Sequence, residues 1–403
     1  MLSTIYTSMS GLQSFSKGLD VISSNVANVN TPGYKGTELL FQDIFYGYDP
    51  KGERNGDVYG SWIGRGVAAE ITSLRFTQGD FRDTNNATDV AIDGQGFFIV
   101  SRDGEYLYTR DGQFEFDDNG LLVTRAGREP VMGLDENGAL SQITLEQLQA
   151  QPAKPTSEIR FTNNLSLGGT QHVLNNVKVI NSLGETILLR VTFRNTSSTT
   201  PRSWQIEVRD AQNQVVGPLG ELRFRGNGSP ETDFNTFKFT YDSPNGDPQE
   251  ITLNFGEPGS FSGATSFSGG TTSDLAVSGQ DGYAQGTLLS TTFDDQGRLV
   301  ARYTNEQSVT GAHLALATFN DLQALRRLDG GMFHAAPNQT ATVGKASTGT
   351  LGRVVAGRVE LSNIELSAQF TDMIVVQRGY QASSQVLTAA NEMIQQLLET
   401  TKR

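Results

Sequence analysis

The residues that could do chemistry are few and poorly placed for it. His172, His313 and His334 are the three histidines, and there is no cysteine. None of the three has a histidine or carboxylate at a spacing suited to a shared metal. A Ser-His-Asp triad is arithmetically open, but no Gly-X-Ser-X-Gly elbow accompanies it. Asp294-Asp295 is the kind of carboxylate pair that glycoside hydrolysis uses, yet it stands in a turn signal, where solvated carboxylates are ordinary. The segment EFDDNGLLVTRA puts Asp117, Asn119 and Gly120 at positions three, five and six of a calcium loop. Position one is Glu115, and Ala126 stands where a bidentate glutamate is needed, so a hairpin turn is the better reading. DGQGFF is followed by neither Lys-Ser/Thr nor a helical pattern, which excludes a phosphate loop. The expectation is no catalytic residue, no metal and no cofactor.

Composition narrows the class further. A chain of 403 residues has room for two to four domains with real cores. Its 44 glycines, with no Gly-X-Y period, suit a turn-rich β body. The formal charge of −13 comes without any Lys/Arg cluster. That argues against nucleic acid and against an anionic membrane surface. No apolar run is long enough for a membrane helix. MLSTIYTSMSG lacks the basic, then apolar, layout of a cleaved signal peptide. These features alone suggest a cytoplasmic protein.

The elements differ between ends and middle. Leu2, Ile5, Met9, Leu12, Phe15, Leu19, Ile22 and Val26 recur in steps of three and four, which predicts an amphipathic helix. Gly11 and Gly18 make it weak alone. Asn30, Thr31, Pro32, Gly33 and Tyr34 then read as a sharp turn. Proline disfavours helix at Thr31 and glycine permits the bend. Near the other end, Ser362–Glu365 fits a capping box, with Leu361 and Leu366 as its staple. Leu366, Phe370, Met373, Gln377, Tyr380, Ser384, Leu387, Asn391, Ile394 and Leu398 follow a heptad step. Short terminal helices are marginal alone, so the two are expected to pair.

The middle has period two. Asp103-Gly104, Asp111-Gly112 and Asn119-Gly120 are hairpin signals. GSFSGATSFSGGTTS, residues 259–273, carries no charge and reads either as a flexible linker or as an ordered loop of small residues. The expected class is mainly β with α-helical termini. A β domain is inserted within a β domain, beside a paired N- and C-terminal helix domain. Expected boundaries are 1–30 with 361–403 (terminal helices), 31–70 (extended connector), 71–145 with 284–360 (β-rich middle domain) and 146–283 (inserted outer β domain).

SSNVANVNTPGYKG resembles the N-terminal signature of the bacterial flagellar axial proteins, which form rod, hook and hook–filament junction. DVAIDGQGFFIV, DGQFEFDDNGLLVT, LSNIELSAQFTDMIVVQRGYQAS and VLTAANEMIQQLL resemble further blocks of that family, in the family's order. The long insertion, and QDGYAQGTLLSTTFDDQGRLVARYTNEQ after it, are most similar to hook members. Ala324 stands where the family usually has glycine, and Gly379 where alanine is common.

The resemblance implies a structural, non-enzymatic subunit. Its terminal helices would form a coaxial inner domain, and copies would stack into a curved, flexible tube that transmits torque. The implied partners are further copies of the chain, the distal rod, hook cap and hook–filament junction proteins, and the flagellar type III export apparatus. Neither nucleic acid nor membrane insertion is implied. Export would place the subunit outside the cell without a cleaved signal peptide. Assembly would depend on Leu12, Leu19, Ile22 and Val26 of the first helix and on Phe370, Met373, Ile374, Tyr380, Leu387 and Ile394 of the last. The alternatives are a distal rod subunit and, from another class, a secreted β-rich carbohydrate-binding or hydrolytic protein. The latter would explain the middle but not the helical tails.

Overall fold

The computed structural model describes residues 2–401 apart from Phe45, Asn55, Gly56, Arg65, Glu136, Pro244 and Asn245. For residues 2, 3, 46–54, 57–64, 70, 71 and 401 it describes the backbone. The chain forms two compact units: residues 1–146, 291–300 and 310–403, and residues 147–290 with 301–309. It is mainly β with one long helix at each end.

In the first unit, helix α1 spans Leu2–Ala27. Four strands follow: β1 (Thr37–Asp43), β2 (Tyr46–Arg54), β3 (Asp57–Gly64) and β4 (Val67–Leu74). β1 pairs antiparallel with β4, from Thr37 opposite Leu74 to Asp43 opposite Val67, with a bulge between Leu40 and Gln42. β2 pairs antiparallel with β3. Residues 31–70, expected as an extended connector, are therefore largely folded back on themselves. Pairing satisfies backbone groups that an isolated extended segment would leave to water. Phe45, Asn55, Gly56 and Arg65 of that stretch lie outside the described residues.

Helix α2 spans Leu366–Thr401 and runs antiparallel to α1. Glycines set the closeness of the pair. A Cβ on Gly11 would stand 2.9 Å from Ser383 Oγ, one on Gly18 3.2 Å from Val376 Cγ1, and one on Gly379 2.5 Å from the Phe15 ring.

The β body of this unit holds a six-stranded sheet in the order Arg326–Arg327, Met332–His334, Glu105–Thr109, Phe97–Arg102, Leu316–Thr318, Thr342–Gly344. Phe97, Tyr108, Phe319 and Phe333 form its core. The Tyr108 and Phe319 rings meet edge-on at 4.7 Å, an arrangement that adds to their area burial. Asp103 and Gly104, both at positive φ, make the expected two-residue hairpin. Asp117 Oδ1 accepts the N–H groups of Asn119 and Leu121 and so fixes the Asn119-Gly120 turn. Asp111-Gly112 is not a hairpin, contrary to its sequence signal. A Cβ on Gly112 would stand 1.8 Å from the Val90 carbonyl oxygen, so this glycine serves close backbone approach.

Among the described residues, two sheets lie wholly within the second unit. Gln171–Ile180, Thr186–Asn195, Ser203–Arg209 and Gly220–Arg223 form an antiparallel set of four. Thr236–Tyr241, Gln249–Asn254, Glu158–Asn164, Ala264–Thr265 and Ala276–Gln280 form the other. Alternate side chains meet in a core that includes Trp204, Phe161, Phe193 and Phe255. Residues 259–273, linker or ordered loop by sequence, are ordered: Ala264–Thr265 lies parallel to Asn163–Asn164.

Candidate functional site

The turn after α1 is where tails and β body are tied together within the first unit. Gly33 adopts φ 66°, and a Cβ there would stand 2.5 Å from Asp111 N. Its own N–H donates to the Glu360 carbonyl at 2.8 Å. The bend therefore lies flat on the Arg110–Asp111 backbone just after the Glu105–Thr109 strand, and only glycine fits.

Tyr34 and Lys35 enter the interior, at 7% and 1% exposure. Lys35 Nζ donates to Glu360 Oε1 and to the Thr77 carbonyl, the latter at 2.9 Å. Arg110 Nη1 donates to Glu360 Oε2 at 3.1 Å, and its Nη2 to the Gly94 carbonyl at 2.8 Å. Gly79 N–H also donates to Glu360 Oε1, at 2.9 Å. One buried carboxylate thus receives two buried cations and an amide. Loss of water pulls the Lys35 ammonium below its ordinary pKa, and the neighbouring Glu360 carboxylate opposes that. Burial likewise lowers Arg110, against Glu360. Next to it, burial pushes Asp111 up to about 6, with Asp89 adding to the rise while the Gln113 N–H and Arg125 pull the other way.

Arg327 closes the turn from the opposite side. Its guanidinium lies 4.2 Å above the Tyr34 ring, a cation–π contact. Its Nη1 donates to Thr37 Oγ1 at 3.2 Å and its Nη2 to the Lys35 carbonyl. Two amides join the helices to the turn. Asn25 Nδ2 donates to the Thr37 carbonyl (2.8 Å) and to Gln369 Oε1 (3.0 Å), while its Oδ1 accepts the Thr37 N–H (3.0 Å). Asn363 Oδ1 accepts the Gly36 N–H at 2.7 Å, and its Nδ2 donates to the Arg75 and Thr77 carbonyls at 2.6 and 3.0 Å.

Asn363 explains a departure from expectation. Ser362 does not cap α2: its Oγ is buried without a partner, and the helix begins at Leu366. The bonds of Asn363 hold the preceding residues extended, which is incompatible with helix there. Leu361 and Leu366 therefore do not act as a staple, because Leu366 is itself the first helical residue.

The packing register of α2 also differs. Gln369, Val376, Ser383 and Ala390 lie toward α1, with Gln369, Val376 and Ala390 buried. The heptad expected from sequence placed Phe370, Gln377, Ser384 and Asn391 there, one residue later. Close approach selects the row of smaller side chains there, with Met373, Leu387 and Ile394 half-buried and Phe370 and Ile374 turned out. Of the residues expected to mediate assembly, Ile22 is buried, and Leu12, Leu19, Val26, Met373, Leu387 and Ile394 are half-buried. Phe370, Ile374 and Tyr380 stand 50%, 60% and 41% exposed. Of the turn residues, Asn30 is exposed, Thr31 and Pro32 are half-buried, and Gly33 and Tyr34 are buried. Lys35, Arg110, Glu360, Arg327, Asn25, Asn363 and Gln369 were not anticipated. Asn25 and Gln369, amides on otherwise apolar helix faces, were the available signal.

Three family models match the chain. "Flagella basal body rod protein" covers residues 5–35, "Flagellar hook protein FlgE/F/G D1 domain" covers 91–164, and "Flagellar basal body rod FlgEFG protein C-terminal" covers 355–400. The flagellar hook protein FlgE of Borreliella burgdorferi is 27% identical over 99% of this chain and 99% of its own length. That of Escherichia coli K12 is 27% identical over 97% of this chain and 98% of its own. The chain is similar along nearly its whole length to flagellar hook proteins. A crystal structure of the Helicobacter pylori flagellar hook protein FlgE2 matches with TM-score 0.49 and 12% identity, over 68% of this chain and 98% of that one. The buried triad takes one residue from each segment matched to the hook and rod models: Lys35 from the first, Arg110 from the second, Glu360 from the third.

Proposed function

We propose that this chain is a structural subunit of the flagellar hook, assembled through its terminal helices into a curved tube that transmits torque. The observation that carries the assembly reading is the inverted face of α2. Toward α1 it presents Gln369, Val376, Gly379 and Ser383, with Ala390 buried in the same row, whereas Phe370, Ile374 and Val375 on its other faces stand 50%, 60% and 62% exposed. A helix that ended its packing within one chain would do the reverse. An apolar patch such as Phe370, Ile374 and Val375 left in water is an association surface. The same heterologous contact, repeated about an axis, builds a helical tube.

In that reading the joint around Lys35 and Glu360 fixes the tails to the β body, so strain on one is felt by the other. The distal rod, hook cap and hook–filament junction proteins would meet the ends of the tube. The type III export apparatus would pass the chain out of the cell without cleavage of a leader. A weak α1, carrying Gly11 and Gly18, suits a tail that orders fully only on assembly.

The test is electron microscopy and sedimentation of the full chain beside Phe370→Asp/Ile374→Asp. Curved tubes from the parent and none from the variant, whose β body keeps its thermal transition, are expected. Straight rigid tubes would move the assignment to the distal rod. Equal polymerisation by the variant would remove α2 from the assembly surface.

A further inference from the structure

One five-residue hairpin turn recurs along the chain, and residues 225–229 wire it differently. In residues 117–121 the first N–H donates to the fifth carbonyl at 2.9 Å, and the Gly120 N–H donates to the first carbonyl at 2.9 Å. Residues 135–139 and 294–298 repeat both bonds, with Gly138 and Gly297 in the fourth place. All three glycines have positive φ. The first residue is Asp117, Asp135 or Asp294, and its Oδ1 accepts the N–H groups of the third and fifth residues. Residues 225–229 make the same turn with Arg225 in the first place. Arg225 N–H donates to the Ser229 carbonyl at 2.8 Å, Gly228 N–H donates to the Arg225 carbonyl at 2.9 Å, and Gly228 has φ 87°. With no aspartate to receive it, the fifth N–H turns to the third residue. Asn227 Oδ1 accepts the Ser229 N–H at 3.1 Å and the Ser229 hydroxyl at 2.7 Å. Ser229 is fully buried and Asn227 is exposed.

That arrangement favours attack on the Asn227 amide carbon. Two donors on the oxygen polarise Cγ and stabilise the negative charge that forms there when a nucleophile adds. The adjacent nucleophile is the Gly228 nitrogen, on a residue with no side chain to hinder its approach. Charge acts in the same direction. Loss of its proton makes that nitrogen negative, a form that neighbouring cations favour and carboxylates disfavour. The turn reads Arg225-Gly226-Asn227-Gly228, and a Cβ on Gly226 would stand 3.0 Å from Arg202 Nη1. The nearest carboxylates along the chain, Glu221 and Glu231, both interact with Arg223. Two of the other turns also hold Asn-Gly, but read Asp117-Asp118-Asn119-Gly120 and Asp135-Glu136-Asn137-Gly138. Asn55 and Asn245 precede glycine as well, and lie outside the described residues.

We infer that Asn227 is a self-modification site, at which the chain converts its own asparagine to isoaspartate or aspartate. This holds for the single chain and does not depend on the assembly reading. The Gly228 nitrogen gives its proton to hydroxide and bonds to Asn227 Cγ. The Cγ–Nδ2 bond then breaks, and ammonia leaves with a proton from water, closing a succinimide ring. Water opens that ring at either carbonyl and returns a proton to the nitrogen, which leaves a carboxylate and one added negative charge. The bond from Gly228 N–H to the first carbonyl has to open beforehand. Gly120 and Gly138 carry the same bond, at 2.9 and 3.1 Å, so it does not separate the three sites. Isoaspartate routes the backbone through the former side chain and lengthens it, which the turn cannot accommodate unchanged. Gly228 also supports the neighbouring loop. Its carbonyl accepts the Ser266 N–H at 2.8 Å, and a Cβ on it would stand 2.7 Å from Phe267 Cε1. Conversion at Asn227 therefore loosens the hold on Ser266 and Phe267 as well as adding a charge.

The test follows the full chain over time in mildly alkaline buffer. Peptide mapping locates the exchange of NH2 for OH, and a protein-isoaspartate methyltransferase with labelled S-adenosylmethionine counts the isoaspartyl product. Asn227 should convert about tenfold faster than Asn119 and Asn137, the scale of one hydrogen bond to a developing charge. Ser229→Ala, which removes the shorter of the two donors, should slow Asn227 by a similar factor. It should leave Asn119, Asn137 and the thermal transition unchanged. Asn119 or Asn137 converting as fast as Asn227 would overturn the inference, as would an unchanged rate at Asn227 in folded Ser229→Ala. Should that variant lose its fold, Arg225→Asp decides in its place. It restores the aspartate of the other turns and should bring Asn227 down to their rate, whereas a rate equal to the parent's would overturn the inference.

Discussion

Lys35 and Glu360 form an ion pair, 1% and 0% exposed at their side chains, across 325 positions of sequence. The pair joins the turn that ends α1 to the strand that leads into α2. Arg110 on the same carboxylate makes it a triad with one surplus positive charge. Through this one carboxylate, the turn that ends α1 and the strand that leads into α2 are tied to each other and to Arg110.

The triad predicts an asymmetry. Glu360→Gln leaves two cations buried without a counter-charge, and breaking a buried pair in this way costs about 3–5 kcal/mol. Lys35→Met leaves Arg110 and Glu360 as a neutral pair and should cost markedly less. Thermal unfolding of both variants, with limited proteolysis around residues 28–40, checks the order. Equal losses would show that the surplus charge does not matter.

Gly33→Ala carries two penalties at once. Its φ of 66° is the left-handed region, and its Cβ would stand 2.5 Å from a backbone nitrogen that cannot move aside alone. A loss of about 2 kcal/mol or more is expected from strain and clash together. Denaturant titration of the isolated variant measures it, and a loss below about 0.5 kcal/mol, within the usual range of surface substitutions, would contradict the close contact.

Gly379 and Phe15 should be energetically coupled. Gly379→Ala alone gains helix propensity of about 1 kcal/mol but drives a Cβ into the Phe15 ring. The gain should emerge fully only with Phe15→Leu in the background. A double-mutant cycle with a coupling energy of about 0.5 kcal/mol or more is the expected result. Strict additivity would mean that the helices do not touch there.

Asp111 sets a pH dependence whose sign is fixed by its burial. Its folded pKa, about 6, lies above the ordinary 3.8. Below 3.8 both states hold the proton, and the group costs folding nothing. As pH rises through this window, unfolded chains release the proton while folded ones keep it, so stability falls until about pH 6 and then levels. Asp111→Asn, which keeps an acceptor for the Gln113 N–H, should gain on the parent steadily from pH 4 to 6. Melting temperatures of the two proteins across that range give the difference profile, and a flat profile would refute the raised pKa.

Much of this molecule was legible as periodicity. Steps of three and four placed α1, period two placed the strands, and Asp103-Gly104 named its own hairpin, because each of these rests on neighbours in sequence. The turn at Pro32 and Gly33 was equally local. What the sequence could not fix by itself were relations between distant segments. The heptad of α2 allowed two adjacent registers, and only the approach of Gly11 and Gly18 on α1 selected the row containing Gln369, Val376 and Ser383. Ser362 looked like a cap until Asn363 was engaged by Gly36, Arg75 and Thr77. Gly112 looked like a turn until Val90 lay against it. The carboxylate nearest Lys35 in sequence is Glu38, but its partner is Glu360, which arrives only when the strand Arg358–Glu360 pairs with Phe81–Asp83. A charge is buried only where its partner is already present, and that condition is met by the tertiary structure alone.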